Sequence, residues 1–103
     1  MNHATPEQRG QLIAGLRQLA DFLEVRTEVP APRWADVLVF PLATTDDEMK
    51  REIDDIASLI ESDVDDGIAE GLNYTAKRRF GPVEYRAVAI PSNRRASSNN
   101  GEA

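Results

Sequence analysis

Leu12, Leu16, Leu19 and Leu23 recur at steps of four, three and four, with Ile13 and Ala20 beside them. That spacing stacks side chains on one side of an α-helix and predicts an amphipathic helix with an apolar stripe. Just ahead of it, Thr5-Pro6-Glu7-Gln8 supplies a capping hydroxyl, a proline at the first helical position and a glutamine placed to return the hydrogen bond. The helix is expected to end near Glu24, because Pro30 and Pro32 make the stretch from Thr27 to Arg33 an extended connector.

A different pattern follows. Asp36-Val37-Leu38-Val39-Phe40 is a short unbroken run of strand formers stopped by Pro41, the signature of a strand buried on both faces or nearly so. Thr45-Asp46-Asp47-Glu48 then reads as a second capping box, with carboxylates where the helix dipole favours them. Met49, Ile53, Ile56 and Ile60, joined by Ala57 and Leu59, give this second helix its stripe as far as about Glu61.

From Ser62 to Gly71 the chain is polar, with a turn signal at Asp65-Asp66-Gly67. Asn73 to Arg79 and Val83 to Ile90 are two strand-like runs split by Gly81-Pro82, which predicts a hairpin. In the second run Val83, Tyr85, Ala87 and Ala89 point one way, and Glu84, Arg86, Val88 and Ile90 the other. Large apolar residues stop after Pro91, so residues 91–103 are expected to form a disordered polar tail behind one domain spanning residues 1–90.

The fold class expected is therefore α+β in the order αβαββ, with both helices packed on one face of a small three-stranded sheet. The far face of such a sheet is left partly open, which invites self-association or a partner.

Composition narrows this picture. A chain of 103 residues, 41% hydrophobic and 29% charged, matches an average globular domain and has room for a single core. It contains no cysteine, so disulfides and thiolate metal sites are excluded. No run is long and apolar enough for a signal peptide or a membrane span, which points to a soluble, cytoplasmic protein. The net charge of -6 disfavours general affinity for nucleic acid or anionic membrane. The charge is unevenly spread, with net -1 up to Pro32, -9 from Arg33 to Thr75 and +4 from Ala76 onward.

Candidate chemistry is sparse. The single histidine, His3, lies in the N-terminal segment, where a general base would lack fixed geometry. The serines fall in no nucleophile-elbow motif, and the scattered glycines form neither phosphate-binding fingerprint. Aligning Gly67 with the invariant glycine of a calcium loop puts Ser62, Val64 and Asn73 at liganding positions, which fails. No catalytic residue, metal ligand or cofactor is expected. Trp34 is expected to pack over the edge of the core.

Two surfaces stand out as interaction candidates. Glu48, Glu52 and Asp55 lie on one side of the second helix, suited to a basic partner or to ordinary solvation. Lys77, Arg78, Arg79, Phe80, Tyr85 and Arg86 combine four cations with two aromatics on the hairpin, a mixture that binds single-stranded nucleic acid by phosphate contact and stacking. The hairpin nears the octapeptide of an RNA-recognition motif, but Arg79 replaces its glycine and Pro82 its stacking aromatic, and the element order differs.

Asp36 to Pro41, the acidic capped helix, and Tyr74-Thr75-Ala76-Lys77-Arg78-Arg79-Phe80-Gly81-Pro82-Val83-Glu84-Tyr85-Arg86-Ala87-Val88-Ala89-Ile90 together resemble a group of short uncharacterised proteins of high-GC Gram-positive bacteria and their phages or integrative elements. The resemblance implies a small accessory protein and carries no catalytic residue or cofactor. The expected function is a non-enzymatic protein-interaction or regulatory module, by a protein partner or by self-association. The alternative is nucleic-acid binding through the basic aromatic hairpin.

Overall fold

The computed structural model describes residues 3–92, so the expected tail lies outside the described residues except for Pro91 and Ser92. The elements are α1 (Pro6–Val25), β1 (Ala35–Val39), α2 (Asp46–Leu59), β2 (Val64–Asp66), a single 3₁₀ turn at Ile68–Glu70, β3 (Tyr74–Phe80) and β4 (Val83–Ala89). They fall into two compact units, residues up to Arg33 and residues from Trp34 onward.

The first unit is α1 and its connector. The capping box forms as expected, with the Gln8 amide donating to the Thr5 hydroxyl and the Thr5 amide to the Gln8 side chain. Despite its apolar stripe, α1 has no buried residue: Leu12, Ile13, Leu16, Leu19 and Phe22 are each 42–53% exposed. Of the two stripes, that of α2 is seen packed on the sheet.

The second unit is a four-stranded mixed sheet in the order β1-β4-β3-β2. β4 is central, parallel to β1 and antiparallel to β3, while β2 pairs antiparallel with β3 at the edge. The α+β class is as expected, but the sheet has four strands, not three. β2 is the addition, lying in the segment read as a polar connection. Its sequence Val-Asp-Asp has no alternating apolar pattern, because an edge strand this short is held by backbone pairing and one half-buried side chain, Val64. The connection after β2 closes tightly: the Gly67 amide donates to the Asn73 carbonyl and the Leu72 amide to the Gly67 carbonyl. A Cβ at residue 67 would sit 2.6 Å from the Leu72 Cβ, so glycine is required there.

α2 lies across one face of this sheet. Ile53 is fully buried, flanked by Met49 and Ala57, and the sheet meets them with Ala76, Ala87 and Ala89. Three alanines let the helix come close, and Ile56, Ile60, Val64, Tyr74 and Tyr85 fill in around them. Leu59 does not join the stripe and is 82% exposed.

Both ends of α2 depart slightly from expectation. At its start the Thr45 hydroxyl accepts from the Glu48 amide and donates to the Glu48 carboxylate, so the reciprocal half of a capping box is replaced by a side-chain pair. At its end the Ser62 amide donates to the Ala57 carbonyl and the Glu61 amide to the Ser58 carbonyl, a Schellman closure with Glu61 at φ 56. Glycine is the usual occupant of that left-handed position.

Candidate functional site

The hairpin turn sets the geometry of the site. Gly81 has φ 62 and Pro82 follows it, the mirror-image turn with positive φ at its first central residue that suits a right-twisted two-residue loop. Phe80 therefore pairs with Val83, Arg79 with Glu84, Arg78 with Tyr85 and Lys77 with Arg86. Directly paired residues project to the same side of a sheet, and neighbours along a strand project to opposite sides.

This alternation splits the six hairpin residues read from the sequence. Arg78, Phe80 and Tyr85 share the α2 side with Ala76 and Ala87. Arg78 lies over the Phe80 ring, 5.3 Å from its centroid, and reaches the last turn of α2, where it donates to the Ile60 carbonyl at 3.5 Å. That places a cation at the negative end of the helix, a structural employment for a residue read as a nucleic-acid contact. Tyr85 is half-buried against the core, so neither its ring nor Arg78 is presented together with the other cations.

Lys77, Arg79 and Arg86 share the opposite, open face with Glu84. Parallel pairing with β1 brings Asp36 beside Glu84 and Leu38 beside Arg86 on that same face. Glu84 is the only polar or charged residue buried among the described residues, at 6% exposure. Its carboxylate is fully employed: Oε1 accepts from Arg79 Nε at 3.0 Å, and Oε2 accepts from Arg86 Nε at 3.0 Å and lies 2.8 Å from Arg86 Nη2. The Arg79 hydrogen bond above all, then that of Arg86 with Lys77 nearby, holds the Glu84 carboxyl below the usual carboxylate range against the opposing effect of burial.

Next to this cluster is a concavity of about 360 Å³ lined by Trp34, Asp36, Arg79, Gly81, Pro82, Glu84 and Arg86. The Ala35 amide donates to the Pro82 carbonyl at 3.1 Å, which anchors the start of β1, and so Trp34, beside the hairpin turn. Trp34 does not pack over the core edge as expected: it is 66% exposed. The Arg79 side chain is 73% exposed, and its bond to Glu84 is made by Nε, not by its two terminal amino groups.

The acidic set on α2 is dispersed among structural roles. Glu52 accepts hydrogen bonds from the Leu42 and Ala43 amides and so closes the turn that feeds the helix. Glu48 belongs to the N-terminal cap, and Asp55 is exposed. Nearby acids are occupied as well: Asp54 accepts from the Tyr74 hydroxyl at 2.6 Å, and Asp46 accepts from the Ser92 amide and hydroxyl. The Tyr74 pKa is raised to about 12, chiefly by that bond to Asp54 and then by burial and the charges of Asp54 and Asp66.

Reasoning from sequence missed Asp36 and Glu84 and assigned Trp34 to the edge of the core. Glu84 had a usable signal, since a two-residue turn at Gly81-Pro82 already dictates its pairing with Arg79. Asp36 had none, because a parallel partner across the sequence is not written in local pattern. No helix among the described residues is long and apolar enough to cross a membrane. Among them no group of three or more histidine, cysteine or acidic side chains is placed to hold a metal ion. Comparison with protein-family models, curated proteins and solved structures finds no match to this chain.

Proposed function

We propose that this chain is a non-enzymatic interaction module that binds a protein segment bearing a carboxylate through the open face of its sheet. The observation that supports this reading is the exposed pair Trp34 and Arg79 at the rim of the concavity, with Arg79 fixed by its Nε on buried Glu84. Tryptophan and arginine are the residues that most often dominate binding energy at protein interfaces. An arginine already held through one nitrogen loses less freedom when its remaining donors engage a carboxylate, which the planar fork can do with two hydrogen bonds.

A second reading has one specific observation in its favour: Arg79 and Arg86 line the concavity with Trp34, and Lys77 lies on the same face beside Arg86, a combination of cations with an exposed ring that suits single-stranded nucleic acid. Asp36 and Glu84 on the same face offset two of those three charges, which is why the protein partner is preferred.

Trp34 is the only tryptophan, so its fluorescence reports on this site alone. Peptides selected from a displayed random library for binding to the chain are expected to be enriched in Asp and Glu, to shift that fluorescence, and to lose at least about tenfold in affinity on Trp34→Ala or Arg79→Ala. Selected peptides that bind both variants as tightly as the parent chain overturn the proposal. Saturable binding of oligo-dT that weakens steeply with salt and is lost in the same two variants transfers the site to the second reading.

A further inference from the structure

The sheet has two edges, and they are unlike. β2 is three residues long and carries Asp65 and Asp66, a short charged edge of the kind that turns away a further strand. β1 is five residues long, and Asp36 is its one charge. α2 packs against β2, β3 and β4, and Trp34, Asp36 and Leu38 are exposed.

The pairing of β1 with β4 fixes where its backbone points. The Ala35 amide donates to the Pro82 carbonyl, and in a parallel ladder alternate residues direct both backbone groups to the same neighbour. Ala35, Val37 and Val39 therefore face β4. The N–H and C=O groups of Asp36 and Leu38 face away from it, with no backbone partner among the described residues. The side chains of the same two residues lie on the open face, beside Glu84 and Arg86. Arg79 and Arg86 are both engaged with Glu84, and Asp36 has no ion pair among the described residues.

We infer that the partner segment binds as a fifth strand antiparallel to β1, with an apolar residue opposite Leu38, a basic residue opposite Asp36 and an acidic residue two positions further on. This rests on the carboxylate-binding role proposed for the open face and specifies the segment that fills it. Extended segments add to exposed sheet edges through main-chain hydrogen bonds, and their alternate side chains supply the specificity. Antiparallel pairing lets Asp36 and Leu38 each exchange two hydrogen bonds with the residue opposite. Those two partner residues project onto the open face, where an apolar side chain suits Leu38 and a cation suits the carboxylate of Asp36. The next residue to reach that face lies opposite position 34, beside Trp34 at the rim of the concavity that Arg79 lines, which is where the carboxylate belongs. No stretch of this chain reads apolar-x-basic-x-acidic, so the segment belongs to a different protein and not to a second copy.

Peptides selected on the full chain from a displayed random library are expected to show that order, read from N- to C-terminus. In the tightest of them, N-methylation of the apolar or the basic residue is expected to weaken binding at least about tenfold, and N-methylation of the residue between to change it less than about twofold, because only the first two amides point at β1. Leu38→Pro removes a donor from the protein at an edge position where proline is tolerated, and the same tenfold loss is expected with the urea midpoint read in parallel. Asp36→Lys is expected to reverse the preference for a base over an acid opposite it, by at least about threefold. Acid-enriched peptides that lose affinity in Arg79→Ala yet bind equally well with either amide methylated overturn the fifth strand and leave the carboxylate reading intact. Peptides that obey the methylation pattern but lack the acid and are indifferent to Arg79→Ala overturn the carboxylate reading, and the acidic position with it, while the strand stands. A library that yields no binder overturns both.

Discussion

The two helices are written in the same grammar and end up in opposite circumstances. Each begins with a threonine cap, and each has apolar residues at helical spacing. α2 buries Met49, Ile53 and Ala57, whereas α1 buries nothing. What distinguishes them lies outside the helices. α2 has a seat made for it by Ala76, Ala87 and Ala89 on the two central strands. An amphipathic stripe states that a face is to be covered; the complementary surface decides by what.

The sharpest test of that contrast pairs one residue from each stripe. Ile53→Ala is expected to cost about 2–5 kcal/mol in urea unfolding of the sheet unit, because it empties the fully buried centre of the core. Leu16→Ala, on a residue 44% exposed, is expected to change the same transition by less than about 0.5 kcal/mol in dilute solution. The seat itself can be spoiled from below. Ala87→Leu pushes extra volume beneath α2 and is expected to cost about 1–3 kcal/mol, measured in the same way.

Smaller changes refine the comparison at the helix end. Glu61 holds a left-handed φ of 56 at the close of α2, so Glu61→Gly is expected to raise stability by about 0.5–1 kcal/mol, less whatever its exposed 3.9 Å contact with Arg78 contributes.

The open face should respond to pH independently of α2. Glu84 has a folded pKa lowered from its ordinary value of 4.5, so the stability it contributes is present above that value and is lost as pH falls through the lower folded one. Glu84→Gln is expected to reduce stability at neutral pH and to flatten its decline below pH 4.5, as followed by urea midpoints across an acid series.

The sequence was legible wherever one segment settles its own fate. Both helices, the hairpin and the alternation along β4 were read from spacing, caps and a Gly-Pro turn, with ends shifted by one or two residues; β1 was found in place, but it is an edge strand with no buried residue, not the strand buried on both faces that its unbroken apolar run implied. β2 escaped because Val64-Asp65-Asp66 is an edge strand whose pairing is made by backbone, not by apolar side chains. At the site, the six hairpin residues were grouped as one surface, and strand pairing divides them: Lys77, Arg79 and Arg86 fall on one face and Arg78, Phe80 and Tyr85 on the other. Trp34 and Asp36 depended on the parallel contact of β1 with β4, which joins residues about fifty apart in the chain.

Amide hydrogen exchange of the full chain tests the seating of α2 most directly. Amides of α2, β3 and β4 are expected to be protected together and to lose protection together in Ile53→Ala, because one core joins them. Protection of α2 unchanged by that substitution while β3 and β4 lose theirs would contradict this.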